Sequence, residues 1–220
     1  MGGYRRPPLD TAEFRDATGT PIPYGQRYWT VDVEPPENAY GRCAHPERFE
    51  PVVQIGHALI DHLTATYDVR REDERADGRP VVVLAPAAGG GATLRITLPL
   101  PSLPGVEVRA GWRFRGLWPD CGCDACDDSV PDLLDDLEAS VLTIVEGGMS
   151  EWRSGPDPAS PLITDDAGNP IGDSHVPWRV HARLDGRLRT ETGGWSDGEP
   201  DPVELPDEPF HWPAWPLRTA

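Results

Sequence analysis

The sequence predicts an α+β fold: two main helices packed on a mostly antiparallel sheet, within a single domain. Three observations predict it. Two segments, one starting near Glu50 and one at Ser129, carry apolar residues at helical spacing. Between them lie short apolar runs separated by Gly and Pro, as in hairpin strands. Near the end, Asp185-Gly186 lies between two further strand-like runs. The α+β domain is expected over residues 1–195, with 1–44 as an irregular, proline-rich arm packed on it. Residues 196–220 read as an acidic, proline- and Trp-rich tail.

In the arm, Tyr24, Tyr28 and Trp29 are the residues suited to pack onto a core. The run from Asp16 to Ile22 fits D-x-x-G-x-P-I, and Asp165 to Ile171 fits it again. Asp opens a turn, Gly accepts positive φ, and Pro-Ile starts an extended segment. Two matches describe one turn used twice, not a repeat architecture.

The first helix begins at Glu50-Pro51, because Pro suits the first helical position. Val52, Ile55, Leu59, Leu63 and Tyr67 form its apolar face. His62 lies at the margin of that face. His57 diverges from it by about 140° on a 3.6-residue helix, so the two cannot share an ion. Pro80–Leu84 and Thr93–Leu98 read as a hairpin across the Gly-rich link 87–91. That link lacks the spacing of a phosphate loop. Val106, Val108, Ala110, Trp112 and Phe114 alternate with polar residues or Gly, which predicts one continuous strand with a buried face. Ser129 caps the second helix, with Asp132 three residues on in a capping-box-like pattern. Leu133, Leu134, Leu137, Val141, Ile144 and Val145 form its stripe, and Gly147-Gly148 ends it. For the late hairpin, over about 176–192, a three-residue loop with a Gly bulge is expected. It pairs Ala182 with Leu188 and keeps Trp178 and Val180 on the same face as Ala182. A two-residue loop would pair Ala182 with Arg189 and mix the faces.

Composition narrows the function classes. The hydrophobic fraction is 38%, low for a globular chain, but the periodic segments argue against full disorder. Net charge is −17, which argues against nucleic acid and anionic membranes as partners, because phosphate binding relies on basic residues. A basic protein partner fits such a field, and so does a charge that serves only solubility. All 20 basic residues are Arg. That removes Schiff-base lysines, P-loop lysines and Ser–Lys pairs. The N-terminus has no apolar h-region after its arginines, and no apolar run approaches the ~20 residues of a membrane span. A cytoplasmic location is expected, where clustered cysteines favour metal or redox roles over structural disulfides.

Cys121, Cys123 and Cys126 fall within CGCDACDD, directly before the second helix. The x-x spacing suits a turn that aims two sulfurs at one ion, and the x spacing can return a third. Zn²⁺ takes four ligands, mostly thiolate and imidazole, so a fourth must come from elsewhere: His45, His62 or Cys43. Sulfurs gathered on one ion should lie about 4 Å apart. Free thiols in a tight packing turn, or a redox pair or disulfide, are the other readings of this motif. Asp120, Asp124, Asp127 and Asp128 would attract a cation but raise thiol pKa values without one. The helix N-terminus acts the other way.

Other constellations carry less chemistry. Arg109, Arg113 and Arg115, with Arg179, Arg183, Arg187 and Arg189, could bind an anion or form a solvated face balanced by the chain's own acids. Glu47, Glu50, Asp61, Glu146 and Glu151 show no acid–base spacing, and no G-x-S-x-G is present. His45, in Ala-His-Pro-Glu-Arg-Phe49, is placed to support the turn leading into the first helix.

Arg6-Pro7-x-Leu9, Ile22-Pro-Tyr-Gly25, Pro35-Pro36-Glu37-x-x-Tyr40, His45-Pro-Glu-Arg-Phe49 and Cys121-Gly-Cys-Asp-Ala-Cys-Asp127 together resemble an uncharacterised actinobacterial protein family. The resemblance covers the first 130 residues or so. It departs at Asp128, where the family motif ends in Glu, and at Cys43, where the family has an aliphatic residue. It implies a bacterial cytoplasmic protein and no particular activity. The leading functional reading is a soluble, non-catalytic binding or interaction protein with a structural zinc or thiol cluster. An immunity- or antitoxin-like protein masking a basic partner is a second reading. A thiol- or metal-dependent enzyme using Cys121, Cys123 and Cys126 is the third.

Overall fold

The structure is a computed structural model and describes residues 3–9, 12–28, 33–154, 179–184, 187–189 and 206–219. Helix α1 spans Glu50–Thr66 and α2 spans Val130–Val145. Strands β1 (Val69–Ala76), β2 (Arg79–Pro86), β3 (Leu94–Thr97), β4 (Val106–Ala110) and β5 (Phe114–Trp118) form an antiparallel sheet in sequential order. A smaller sheet has the order β8-β7-β6-β9, from β6 (Met149–Ser154), β7 (Arg179–Leu184), β8 (Arg187–Arg189) and β9 (Phe210–His211). This is the mixed α+β domain expected.

The helices bury one face of the larger sheet. The expected α1 residues Val52, Ile55, Leu59, Leu63 and Tyr67 join Leu84, Leu94, Ile96, Val106 and Val108 in one core. Gly56 sets the depth of that contact. A Cβ there would lie 2.8 Å from Val106 Cγ2, so a side chain would push α1 off β4. On α2, the Ser129 hydroxyl accepts the Asp132 N–H at 3.4 Å, and Leu134, Leu137, Val141, Ile144 and Val145 are buried. The β2–β3 hairpin forms across the glycine link, with Leu84 opposite Leu94.

The sequence reading missed β1, because Arg70–Arg75 are all exposed and charged and show no apolar period. They suit an edge strand, where charge discourages pairing with another chain. Asp77-Gly78 links β1 to β2 as a two-residue loop, both at positive φ, the backbone such loops favour.

Two expectations are corrected. The continuous strand from Val106 to Arg115 is a hairpin, with Ala110 paired to Phe114 across Gly111–Arg113. The cause lies far off in sequence. Glu151, fully buried, accepts the N–H groups of Trp112, Arg113 and Phe114 at 2.8–2.9 Å. Gly111, at φ 57°, leaves the space Glu151 occupies. The bulged register of the late hairpin is also replaced. Ala182 pairs with Arg189 and Leu184 with Arg187, so only Asp185 and Gly186 intervene. Asp-Gly is favoured in such two-residue connections, and this outweighed keeping Ala182 opposite Leu188. Trp178, and the faces assigned through it, lie outside the described residues, as do Trp29 and the second D-x-x-G-x-P-I run.

In the first such run, the Asp16 carboxylate accepts the N–H of Thr18 at 2.8 Å and of Thr20 at 2.9 Å, and Gly19 has φ 85°. Of the C-terminal aromatics, Trp215 enters the core and Trp212 packs against it. Trp215 is 3% exposed, its Nε1–H donates to the Ala92 carbonyl at 2.9 Å, and Trp212 Nε1–H donates to Glu151 at 2.7 Å.

Candidate metal centre

The loop between β5 and α2 carries Cys121, Cys123 and Cys126. Their sulfurs all lie within 4.8 Å of one another, and Cys123 Sγ is 3.6 Å from Cys126 Sγ. A tetrahedral ion with Zn–S near 2.3 Å sets sulfurs roughly 3.8 Å apart. Cys123 is buried and the other two are exposed.

The loop takes this shape because the N-terminal arm holds it. Asp124 N–H donates to the Arg42 carbonyl at 2.6 Å, and Ala125 N–H donates to the Ala39 carbonyl at 3.2 Å. The Asp124 carboxylate accepts Arg42 Nε–H at 2.7 Å and the Ala44 N–H at 3.1 Å. Asp127, at φ 52°, accepts the Arg27 backbone N–H at 2.6 Å and Nε–H at 2.5 Å. Arg27 also reaches the Asp124 carbonyl at 2.8 Å. Arg48 is 2% exposed and lies 4.1 Å over the Tyr24 ring and 3.5 Å from Asp124. Asp124 and Asp127 are therefore spent on arginines and do not stand ready for a cation. Sequence reasoning missed Arg27, Arg42 and Arg48, whose only signal was their sign.

The electrostatics single out Cys123. Burial pushes its thiol up, but the N–H groups of Cys126 and Ala125 and the neighbouring thiols outweigh this, and it falls to about 7. Cys126 is pushed up to about 12, by burial first and then by its bonds to Cys123 and Cys121. Backbone donors thus prepare one thiolate, and the other thiols line up on it. Such a set can hold a soft or borderline metal ion.

The three expected fourth ligands lie as follows. His45 Nδ1 is 2.7 Å from the Tyr24 hydroxyl, and its ring packs on Phe14. It immediately precedes the 3₁₀ turn Pro46–Phe49 that leads into α1. His62, on α1, packs edge-on against Tyr4 at 5.2 Å. Cys43 packs against the core, and burial raises its thiol. It is within electrostatic reach of Cys123 but outside the group of three sulfurs. Of the arginines considered for anion binding, Arg109 and Arg115 both bond Glu107 Oε1 at 2.7 Å. The side chains of Arg179, Arg183, Arg187 and Arg189 are outside the described residues.

Among the described residues, no helix is long and apolar enough to cross a membrane. No curated protein and no solved structure matches the chain. A protein-family profile described as a family of unknown function matches residues 10–219, so the chain belongs to that family, DUF6226.

Proposed function

We propose that the chain is a non-catalytic interaction protein built around a structural zinc site at Cys121, Cys123 and Cys126. The observation that carries this reading is the convergence of three sulfurs within 4.8 Å of one another, with Cys123 Sγ 3.6 Å from Cys126 Sγ. The loop is also where the arm, through Arg27, Ala39 and Arg42, meets the start of α2. An ion there would fix the shape of the loop that Arg27, Ala39 and Arg42 of the arm hold. Zn²⁺ suits a thiolate site in a reducing cytoplasm, where thiols stay free to ligate. The net charge of −17 supports a basic protein partner, as an immunity- or antitoxin-like role would require.

Zinc bound at folding adds its binding energy to stability. The test is thermal melting of the purified chain before and after chelation, then after Zn²⁺ is restored. A lowered melting temperature that zinc alone reverses supports the reading. Identical curves in all three states contradict it.

A further inference from the structure

We infer that the zinc centre is a docking point: a partner presenting a thiolate from a basic segment completes the ion's coordination. This rests on the zinc reading above. Among the described residues the convergent set ends at three sulfurs, and two of them, on Cys121 and Cys126, belong to exposed residues. His45 is engaged with Tyr24 and His62 packs on Tyr4. Cys43 is half-buried against the core and, though within electrostatic reach of Cys123, is not one of the converging sulfurs.

The surroundings suit a protein ligand. Tyr40 is 55% exposed, more than any other large hydrophobic among the described residues. It adjoins Ala39, which packs against Cys123 and Ala125 and accepts the Ala125 N–H. An exposed aromatic at the rim of a buried contact is the kind of residue that anchors interfaces. Charge selects the partner. Three thiolates on a divalent ion leave one negative charge, with Asp120 exposed and Asp128 half-buried nearby. Arg27, Arg42 and Arg48 also face the loop, but they are paired with Asp127 and Asp124. The outward field is therefore negative, and a ligand flanked by arginine or lysine fits it.

The test uses the full chain loaded with Co²⁺, whose thiolate charge-transfer absorbance reports each sulfur bound. The probe is a capped Arg-Cys-Arg tripeptide, compared with Arg-Ser-Arg and with N-acetylcysteine. The inference expects the cysteine peptide to raise the absorbance saturably, severalfold more tightly than N-acetylcysteine, with no rise from the serine peptide. Tyr40→Ala should weaken the cysteine peptide by about threefold, the size of an exposed cation–π contact. A cobalt spectrum unmoved by the cysteine peptide would show the fourth position closed by the chain itself and overturn the inference. Equal affinity for N-acetylcysteine would remove the basic partner. A doubled mass on metal loading would make the partner a second copy and overturn it too. Failure of cobalt to bind would instead defeat the zinc reading.

Discussion

Asp124 and Arg42 bind each other twice. The Asp124 N–H donates to the Arg42 carbonyl at 2.6 Å, and its carboxylate accepts Arg42 Nε–H at 2.7 Å. This reciprocal pair lashes the thiol loop to the arm, with Asp124 only 1% exposed and Arg48 buried behind it. Asp124→Asn keeps the shape and removes the charge. It takes from buried Arg48 the carboxylate 3.5 Å away, and breaking a buried ion pair costs about 3 kcal/mol or more. Urea unfolding of the variant should show a lowered midpoint with an unchanged slope. A midpoint equal to wild type would mean the pair contributes nothing.

Glu151 is a cap for a distant turn. Its Oε1 accepts Arg113 and Phe114 N–H, and its Oε2 accepts Trp112 N–H and Trp212 Nε1–H. In Glu151→Gln, either amide orientation aims an NH₂ at two N–H donors. Each buried donor left unpaired costs about 1–3 kcal/mol, so a loss of roughly 2 kcal/mol or more is expected. Trp212 sits against Glu151, so tryptophan fluorescence is a suitable probe of that unfolding. Wild-type stability in the variant would contradict the capping role.

Trp215 should be the most costly aromatic to lose from the C-terminal segment. It is 3% exposed and stacks edge-on with Tyr67 at 5.8 Å. Trp215→Ala should cost about 3–5 kcal/mol, whereas the same change at Phe210, 39% exposed, should cost far less. Equal losses at the two positions would show that the segment docks differently.

Glu107 gives the sheet a pH dependence. Burial pushes its carboxyl up, but Arg115 and Arg109 outweigh this and hold it below the ordinary 4.5. A depressed folded value means the unfolded chain takes up the proton more readily. The stability is therefore fully present above about 4.5 and lost as pH falls through the folded value. Glu107→Gln should be less stable than wild type at pH near 7, with the gap closing in acid. Parallel pH–stability profiles would sink this account.

What the sequence discloses is what neighbours in the chain decide. Ser129 and the leucines after it announce α2, and Cys121-x-Cys-x-x-Cys126 announces converging sulfurs, because each pattern completes itself within a few residues. The turn at Gly111 was hidden because Trp112 and Phe114 continue the alternation of β4, while the carboxylate that bends the chain stands 37 to 39 residues away. The holding of the thiol loop was hidden for the same reason. Arg42 and Arg27 reach Asp124 and Asp127 over 82 and 100 residues. Strand β1 was hidden by its charge, since an exposed edge needs no apolar face.

The proposed function has Cys121, Cys123 and Cys126 hold one zinc ion. Its most direct test is the zinc content per chain of protein purified without chelator, for wild type and for Cys123→Ser, by elemental analysis. Close to one zinc per wild-type chain and nearly none in the variant are expected, since Cys123 is one of the three converging sulfurs and lies 3.6 Å from Cys126 Sγ. Metal-free wild-type protein that is as stable as zinc-supplemented protein, with its thiols titrating freely, would contradict it and leave the motif as a tight turn into α2.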